Sequence, residues 1–317
     1  MIFRGAAILA AALAALPAAA DEVLYPDTCD GAGVRLQVLG SGDADLTDGR
    51  AASSYLIWID GKARVLVDAG TGSALRFGES GARATDVDVI LFTRLDAAHA
   101  LDFPAVIAAA QREGRARALP LYGPTGSRLA PSTVSFVRTL LDGTRGAYRE
   151  LSGVLNPLAK DGFKLQPHDV RTRAPSVGVR RGEKEIVEIS VPPRVRAAAT
   201  YVVEEGRPVL AWRLRVGDRG IVIGGALADD SEHLKRLAQA ADLLIADDIG
   251  AAANNGISTV GRFAAQAKAK RLVLTQRPRA TREAREMMQT AVRKDYGGPL
   301  AFADDLDCFA IPNGSPR

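Results

Sequence analysis

The stretch that most constrains the fold is Val87-Asp88-Val89-Ile90-Leu91-Phe92-Thr93-Arg94-Leu95-Asp96-Ala97-Ala98-His99. It opens as a run of apolar and β-branched residues, the pattern of a buried strand, and closes on a polar turn. Residues 100–112 are Ala-rich and apolar at helical spacing, which predicts a helix. A strand that stops just before a helix leaves its last residues at the carboxyl edge of a sheet, where α/β folds build their sites. That polar turn is the first place to look for chemistry.

The rest of the chain repeats the strand-and-helix theme. Residues 34–39 alternate as a strand and run into Gly40-Ser41-Gly42, too short for a dinucleotide fingerprint because no GxGxxG completes it. Residues 54–59 and 63–67 read as strands joined at Asp60-Gly61, a hairpin signal, and Asp68-Ala69-Gly70 follows. Residues 119–124 form a short strand and turn, 133–141 a helix, and 143–175 a loop-like mixture of Gly, Pro and charge. From Glu185 apolar strands restart at 186–191, 200–203, 209–216 and 220–224. A helix at 231–241, a strand at 243–245, a helix at 260–270, a strand at 271–275 and an amphipathic helix at 279–295 complete the pattern.

The order strand, Gly40-Ser41-Gly42, strand, Asp60-Gly61, strand, Asp68-Ala69-Gly70 resembles the opening of metallo-β-lactamase-superfamily proteins. In those hydrolases the next strand ends in Thr-His-x-His-x-Asp-His, four side chains that grip two zinc ions. Residues 119–124 also fit, and the resemblance runs from about 34 to 309. It implies an α/β fold, a four-layer αββα sandwich of two pseudo-repeated halves, about 34–184 and 185–310, within a single domain spanning 21–317. It also implies that Asp68 braces the metal loop by hydrogen bonding.

Laid on the family motif, Thr93 matches, but the ligand positions read Arg94, Asp96, Ala98 and His99. Guanidinium stays protonated and offers zinc no lone pair, so Arg94 cannot ligate; Asp96 could, and His99 is kept. The strand at 220–224 usually leads to a metal-bridging Asp, and here Gly225 is followed by Ala226. After Leu274-Thr275, where the family often has histidine, stands Gln276; before the Val260 helix stands Asn254. No histidine lies between Glu185 and Val209, where Arg194 and Arg196 occur. His168, read as a loop residue, and His233, on the 231–241 helix, are isolated. The implied reading is a degenerate metal site with no zinc cofactor. Arg94, Asp96, His99 and Asp68 remain candidates for binding a ligand. Either Arg94 pairs with Asp96 across the old site, or it points to solvent over a filled pocket. A third possibility is a hard cation held by Asp96 with some of Asp229, Asp230, Asp247, Asp248, Asp304, Asp305 and Asp307. Acids at strand ends and helix starts more often serve as caps and turn formers.

Residues 1–20 read as a signal peptide, with Arg4 as the basic region, residues 6–16 as the apolar core and Ala18-Ala19-Ala20 before the cut at Asp21. An uncleaved anchor is the alternative. Export points to the periplasm, an oxidising compartment, where Cys29 and Cys308 most simply form a disulfide rather than remain free thiols. Closing so long a loop is worth roughly 4–5 kcal/mol in the chain-entropy model. With Arg4 removed, 40 basic residues face 37 acidic ones, a net charge of +3. With aromatics at only 5%, this excludes a nucleic-acid surface. No later stretch spans a membrane. No Gly-x-Ser-x-Gly elbow or partnered Ser–His pair supports nucleophilic catalysis.

These residues read as an exported pseudoenzyme that binds a small molecule or a protein. The alternative is a hydrolase of an ester, lactone or phosphodiester with a site rebuilt around Asp96 and His99. An accessory subunit with an exposed apolar patch is a further reading.

Overall fold

The computed structural model describes Cys29 and residues 31–160, 162–172, 185–191, 194–204, 207–227, 232–247, 256–276 and 282–312. The signal-peptide reading of residues 1–20 lies outside them. In the first half the strands are β1 (Val34–Gly40), β2 (Ser54–Ile59), β3 (Lys62–Val67), β4 (Val89–Leu91), β5 (Leu119–Pro124) and β6 (Leu165–Val170). Its helices are α1 (Ser73–Glu79), α2 (Ala97–Ala100), α3 (Phe103–Arg112) and α4 (Thr133–Leu141). In the second half the strands are β7 (Ile186–Val191), β8 (Val195–Glu204), β9 (Arg207–Val216), β10 (Arg219–Ala226), β11 (Leu243–Asp247), β12 (Leu272–Leu274), β13 (Leu300–Phe302) and β14 (Cys308–Ile311). Its helices are α5 (Glu232–Ala238), α6 (Gly256–Gln266) and α7 (Arg282–Arg293).

Two seven-stranded sheets result, ordered β14-β1-β2-β3-β4-β5-β6 and β13-β12-β11-β10-β9-β8-β7. In each, four strands pair antiparallel and the run continues parallel: from β3 to β6 in one sheet, from β10 to β13 in the other. This shared pattern is the pseudo-repeat. The halves are nonetheless interlocked, because β14 crosses back to pair with β1, Val34 opposite Ile311. The Cys29–Cys308 disulfide fastens the same seam, with the two Cα atoms 5.6 Å apart.

Strand periodicity explains the layering. On β2, Tyr55, Ile57 and Ile59 join Leu210, Trp212 and Leu214 of β9 in a core between the sheets. Leu56 and Trp58 point the other way, into a second cluster that also holds Phe103, Ile107 and Val137 of α3 and α4. On β11, Leu243 and Ile245 face the inter-sheet core while Leu244 and Ala246 pack with Leu234 of α5 and Phe263 of α6. Three apolar clusters thus separate four layers, helix, sheet, sheet and helix. Among the described residues no helix is long and apolar enough to cross a membrane.

Three expectations change. The helix expected over 100–112 starts later, as α3 at Phe103, with Pro104 in its first turn, and Ala100 instead closes the separate short helix α2. Residues 165–170, expected to be loop, form the edge strand β6, which places His168 on a strand. The helix expected at 260–270 begins earlier, at Gly256.

Candidate functional site

Strands β3 and β4 run parallel and end together, Val67 opposite Leu91, so the residues that follow meet at one edge. Asp68 has a left-handed backbone, φ 58°, unusual for a residue with a Cβ. There its carboxylate accepts the Thr93 backbone N–H and the Thr93 hydroxyl, both at 2.7 Å. These two bonds fix the residue that follows β4 to the end of β3. Asp68 is fully buried, and burial pushes its carboxyl up to about 7; His99 and the Thr93 bonds oppose the rise, and Asp247 adds to it.

The glycines of the two family-like motifs have a steric reason. A Cβ on Gly40 would lie 1.8 Å from the Ala52 carbonyl oxygen, and one on Gly70 2.1 Å from that of Ala98. Backbone segments cross too closely there for any side chain. Asp305 ties down the first motif. One of its oxygens accepts the Ser41 N–H at 3.0 Å and the Ser41 hydroxyl at 2.9 Å. The other accepts the Ala51 N–H at 2.9 Å and Arg76 Nε at 3.0 Å.

His99 lies on α2 and is buried. Its Nδ1 sits 2.5 Å from Asp96 Oδ1, and its Nε2 sits 2.9 Å from the Gln276 amide nitrogen. With that amide donating, Nε2 accepts and the ring proton lies on Nδ1, toward Asp96. Gln276 also has a left-handed backbone, φ 47°, and its N–H donates to the Ser41 carbonyl at 2.7 Å. Two non-glycine residues with positive φ therefore flank the site, a concentration of strain typical of functional positions.

The second sheet supplies the remaining wall. The Tyr55 hydroxyl receives a hydrogen bond from Ser53 at 3.3 Å and shares another with Thr275 Oγ1 at 2.8 Å. Burial and, next, the Asp247 charge push the Tyr55 phenol well above its ordinary pKa. Asp247 ends β11 and is buried. Following Leu243 and Ile245 at period two, it faces the space between the sheets. Sequence reasoning treated Asp247 as one acid among several caps; its period-two place on a buried strand was the overlooked signal. Two hydrogen bonds, one from the main chain and one from a side chain, hold this edge to the first sheet: the Leu210 N–H donates to the Thr93 carbonyl at 2.8 Å, and the Trp212 indole Nε1 to the Phe92 carbonyl at 2.9 Å.

The structure thus gathers Asp68, Arg94, Asp96, Ala98, His99 and Gln276 around the ends of β3, β4 and β12. Arg94 is buried, which removes the alternative in which it points to solvent. The backbone of Ala226 pairs with Asp247. Asp229, Asp230, Asp248 and Asn254 lie outside the described residues. His168 stacks on Tyr122 with ring centroids 4.8 Å apart, and His233 contacts Glu185 at 3.1 Å on the surface. Asp307 caps the Asp304 N–H at 2.8 Å, and with Asp305 it shapes a turn.

Among the described residues, the side chains at these positions do not fit a dinuclear zinc site. Arg94 and Ala98 carry no usable lone pair, and both nitrogens of His99 are hydrogen-bonded. Among the described residues no three His, Cys, Asp or Glu side chains are placed to share a metal ion.

No family model matches the chain. It is 27% identical over 195 residues to a ribonuclease Z of Haloferax volcanii, an alignment covering 61% of this chain and 54% of that protein. It is 27% identical over 133 residues to a ribonuclease Z of Clostridium novyi, covering 42% and 40%. The chain therefore spans about half, or less, of the length of the curated relatives it matches. Among solved structures it is similar to the metallo-β-lactamase-fold protein YhfI of Bacillus subtilis, with a TM-score of 0.64 and 16% identity over 87% of this chain and 98% of that one. The short form of human tRNase Z gives a TM-score of 0.64 and 20% identity, covering 88% and 100%. A diphosphatase of the PhnP family gives 0.60 and 16%, covering 88% and 98%.

Proposed function

The chain has the metallo-β-lactamase fold, and we propose that it is an exported, periplasmic pseudoenzyme of that fold, which binds a small molecule or a protein instead of hydrolysing a substrate. The observation that carries this reading is the His99 side chain bonded to Asp96 on one side and to the Gln276 amide on the other. A histidine held by a carboxylate through Nδ1 would present a basic Nε2 to metal or substrate. Gln276 takes that position from the opposite sheet. Arg94 adds a fixed positive charge where the first imidazole of the motif would sit, suited to an anionic ligand. The mild net charge and scarce aromatics argue against nucleic acid as that ligand.

Elemental mass spectrometry of the mature protein, purified without chelator or added metal, is the test. Near-zero metal, unchanged after incubation with zinc or manganese, is the expected result. One or two tightly held equivalents would overturn the reading, and loss of that metal in His99→Ala would locate it.

The similarity to proteins named ribonuclease Z favours the second reading, hydrolysis of a phosphodiester, or of an ester or lactone, by a rebuilt site around Asp96 and His99. Turnover of bis(p-nitrophenyl) phosphate that His99→Ala abolishes would establish it.

A further inference from the structure

The outer face of the second sheet carries an unusual row of cations. On β8 and β9, Arg196 stands directly opposite Arg215, and two pairs further along, on the same face, Ala198 stands opposite Arg213. Alternation puts Val195, Ala197, Leu214 and Val216 into the inter-sheet core, so all three arginines point away from it. Like charges directly opposite on neighbouring strands destabilise a sheet. A lone pair of such arginines would ordinarily be answered by an acid. Yet neither Arg196 nor Arg215 has an ion-pair partner among the described residues.

The neighbouring residues leave room. Ala198 presents only a methyl group between Glu188 and Arg213, and Gly220 presents nothing beside Arg215. The Arg213 guanidinium fills part of that gap, within 2.9 Å of where a Gly220 Cβ would stand. One of its nitrogens is fixed by the Leu237 and Gln239 carbonyls at the end of α5, both at 2.7 Å. The result is a cavity of about 80 Å³ lined by Glu188, Ile189, Arg196, Ala198, Arg213 and Arg215. That volume holds a few waters or one tetrahedral anion, and it is too small for a nucleotide. In the lining, three guanidinium groups face one carboxylate, and the nearby Asp242 carboxylate, which acts on Arg213, is itself paired with Lys270 at 2.7 Å, so an excess of two positive charges remains.

We propose that this depression binds a tetrahedral dianion of the phosphate class, held between Arg196 and Arg215, with Arg213 as a fixed charge behind it. Planar guanidinium forks match phosphate oxygens two at a time, and the excess charge of two matches a dianion. Glu188 at the rim disfavours bulkier anionic groups. The site lies toward the amino end of β10, whereas the Asp68–His99–Gln276 cluster lies at the strands' carboxyl edge, and it stands whether or not that cluster holds a metal.

The test is calorimetric titration of inorganic phosphate into the intact chain at constant ionic strength. Saturable binding is expected, and Arg196→Ala and Arg215→Ala should each weaken it about tenfold or more, the loss expected for a charge-assisted hydrogen bond. Dimethyl phosphate, a singly charged diester, should bind more weakly than inorganic phosphate. That comparison separates a free phosphate or monoester from a nucleic-acid backbone. In phosphate-free buffer Arg215→Ala should melt no lower than the parent, because it relieves the cross-strand repulsion; lost binding then cannot be blamed on lost structure. Absent saturation, unchanged affinity in the Arg196→Ala/Arg215→Ala double variant, or equal binding of the diester would each overturn the proposal.

Discussion

Replacing Asp68 by Asn tests the account of the carboxyl edge most directly. Burial raises the Asp68 carboxyl from 3.8 to about 7 in the folded chain. Below pH 3.8 both folded and unfolded states hold the proton, and the group adds nothing to the pH dependence. Between 3.8 and about 7 the folded state keeps a proton that the unfolded chain has released. Stability therefore falls as pH rises through this window and is flat above it, the sign opposite to that of a salt-bridged carboxylate. At about 1.4 kcal/mol per pKa unit, the span amounts to about 4 kcal/mol. Asparagine is neutral throughout and can still accept the Thr93 N–H through its carbonyl oxygen, while the Thr93 hydroxyl must turn to accept from the amide. Urea unfolding of both proteins at several pH values from 4 to 8 gives the difference in stability, in which the titrations of groups that do not interact with Asp68 cancel. That difference should move in favour of Asp68→Asn by about 4 kcal/mol across the range. A difference constant to within about 1 kcal/mol would show that Asp68 is ionised in the folded protein and that the burial argument is wrong.

Two further outcomes follow from packing and covalent linkage. Gly70→Ala should cost about 3 kcal/mol or prevent folding, because its Cβ would meet the Ala98 carbonyl at 2.1 Å and both partners are backbone; thermal melting within a few degrees of the parent would refute this. Reduction of Cys29–Cys308, 279 residues apart, should lower stability by about 5 kcal/mol, because it frees the unfolded chain from one of its longest loops. Equal urea midpoints with and without reductant would show that β14 pairing alone holds the seam.

Where a residue faces a core, its sequence announced its element. The alternation of β1 and the unbroken apolar runs of β2 and β4 gave the right strands, and α4 begins and ends where its pattern does, at Thr133 and Leu141. Where packing is one-sided the pattern failed. Strand β6 reads Leu-Gln-Pro-His-Asp-Val because it is a sheet edge, pairing on one side only, and an edge tolerates proline and polar residues. Strand β14 was hidden because four residues after an acidic turn carry too little periodicity to register. The site divides the same way. The spacing of Arg94, Asp96, Ala98 and His99 is a local property and could be read directly. The His99–Gln276 bond joins residues 177 positions apart, and no local pattern encodes it. Asp247 looked like a strand-end cap until the sheet showed which face it shares with Leu243 and Ile245.

If the chain is the pseudoenzyme proposed above, these bonds explain why its scaffold stands without the family's ligand set. Asp68 holds Thr93, Asp305 holds Ser41 and Ala51, and Trp212 and Leu210 hold the end of β4, each through groups that are not metal ligands in the family motif. Substitutions at the ligand positions can therefore accumulate without loosening the loops that surround them. A shared metal pair would also have tied the two sheets together across the site. The His99–Gln276 and Tyr55–Thr275 bonds span the same gap with neutral partners. Motifs such as Gly40-Ser41-Gly42 and Asp68-Ala69-Gly70 are required by close backbone crossings and buried polar bonds, whereas no bond of this scaffold runs through the side chain of Ala98.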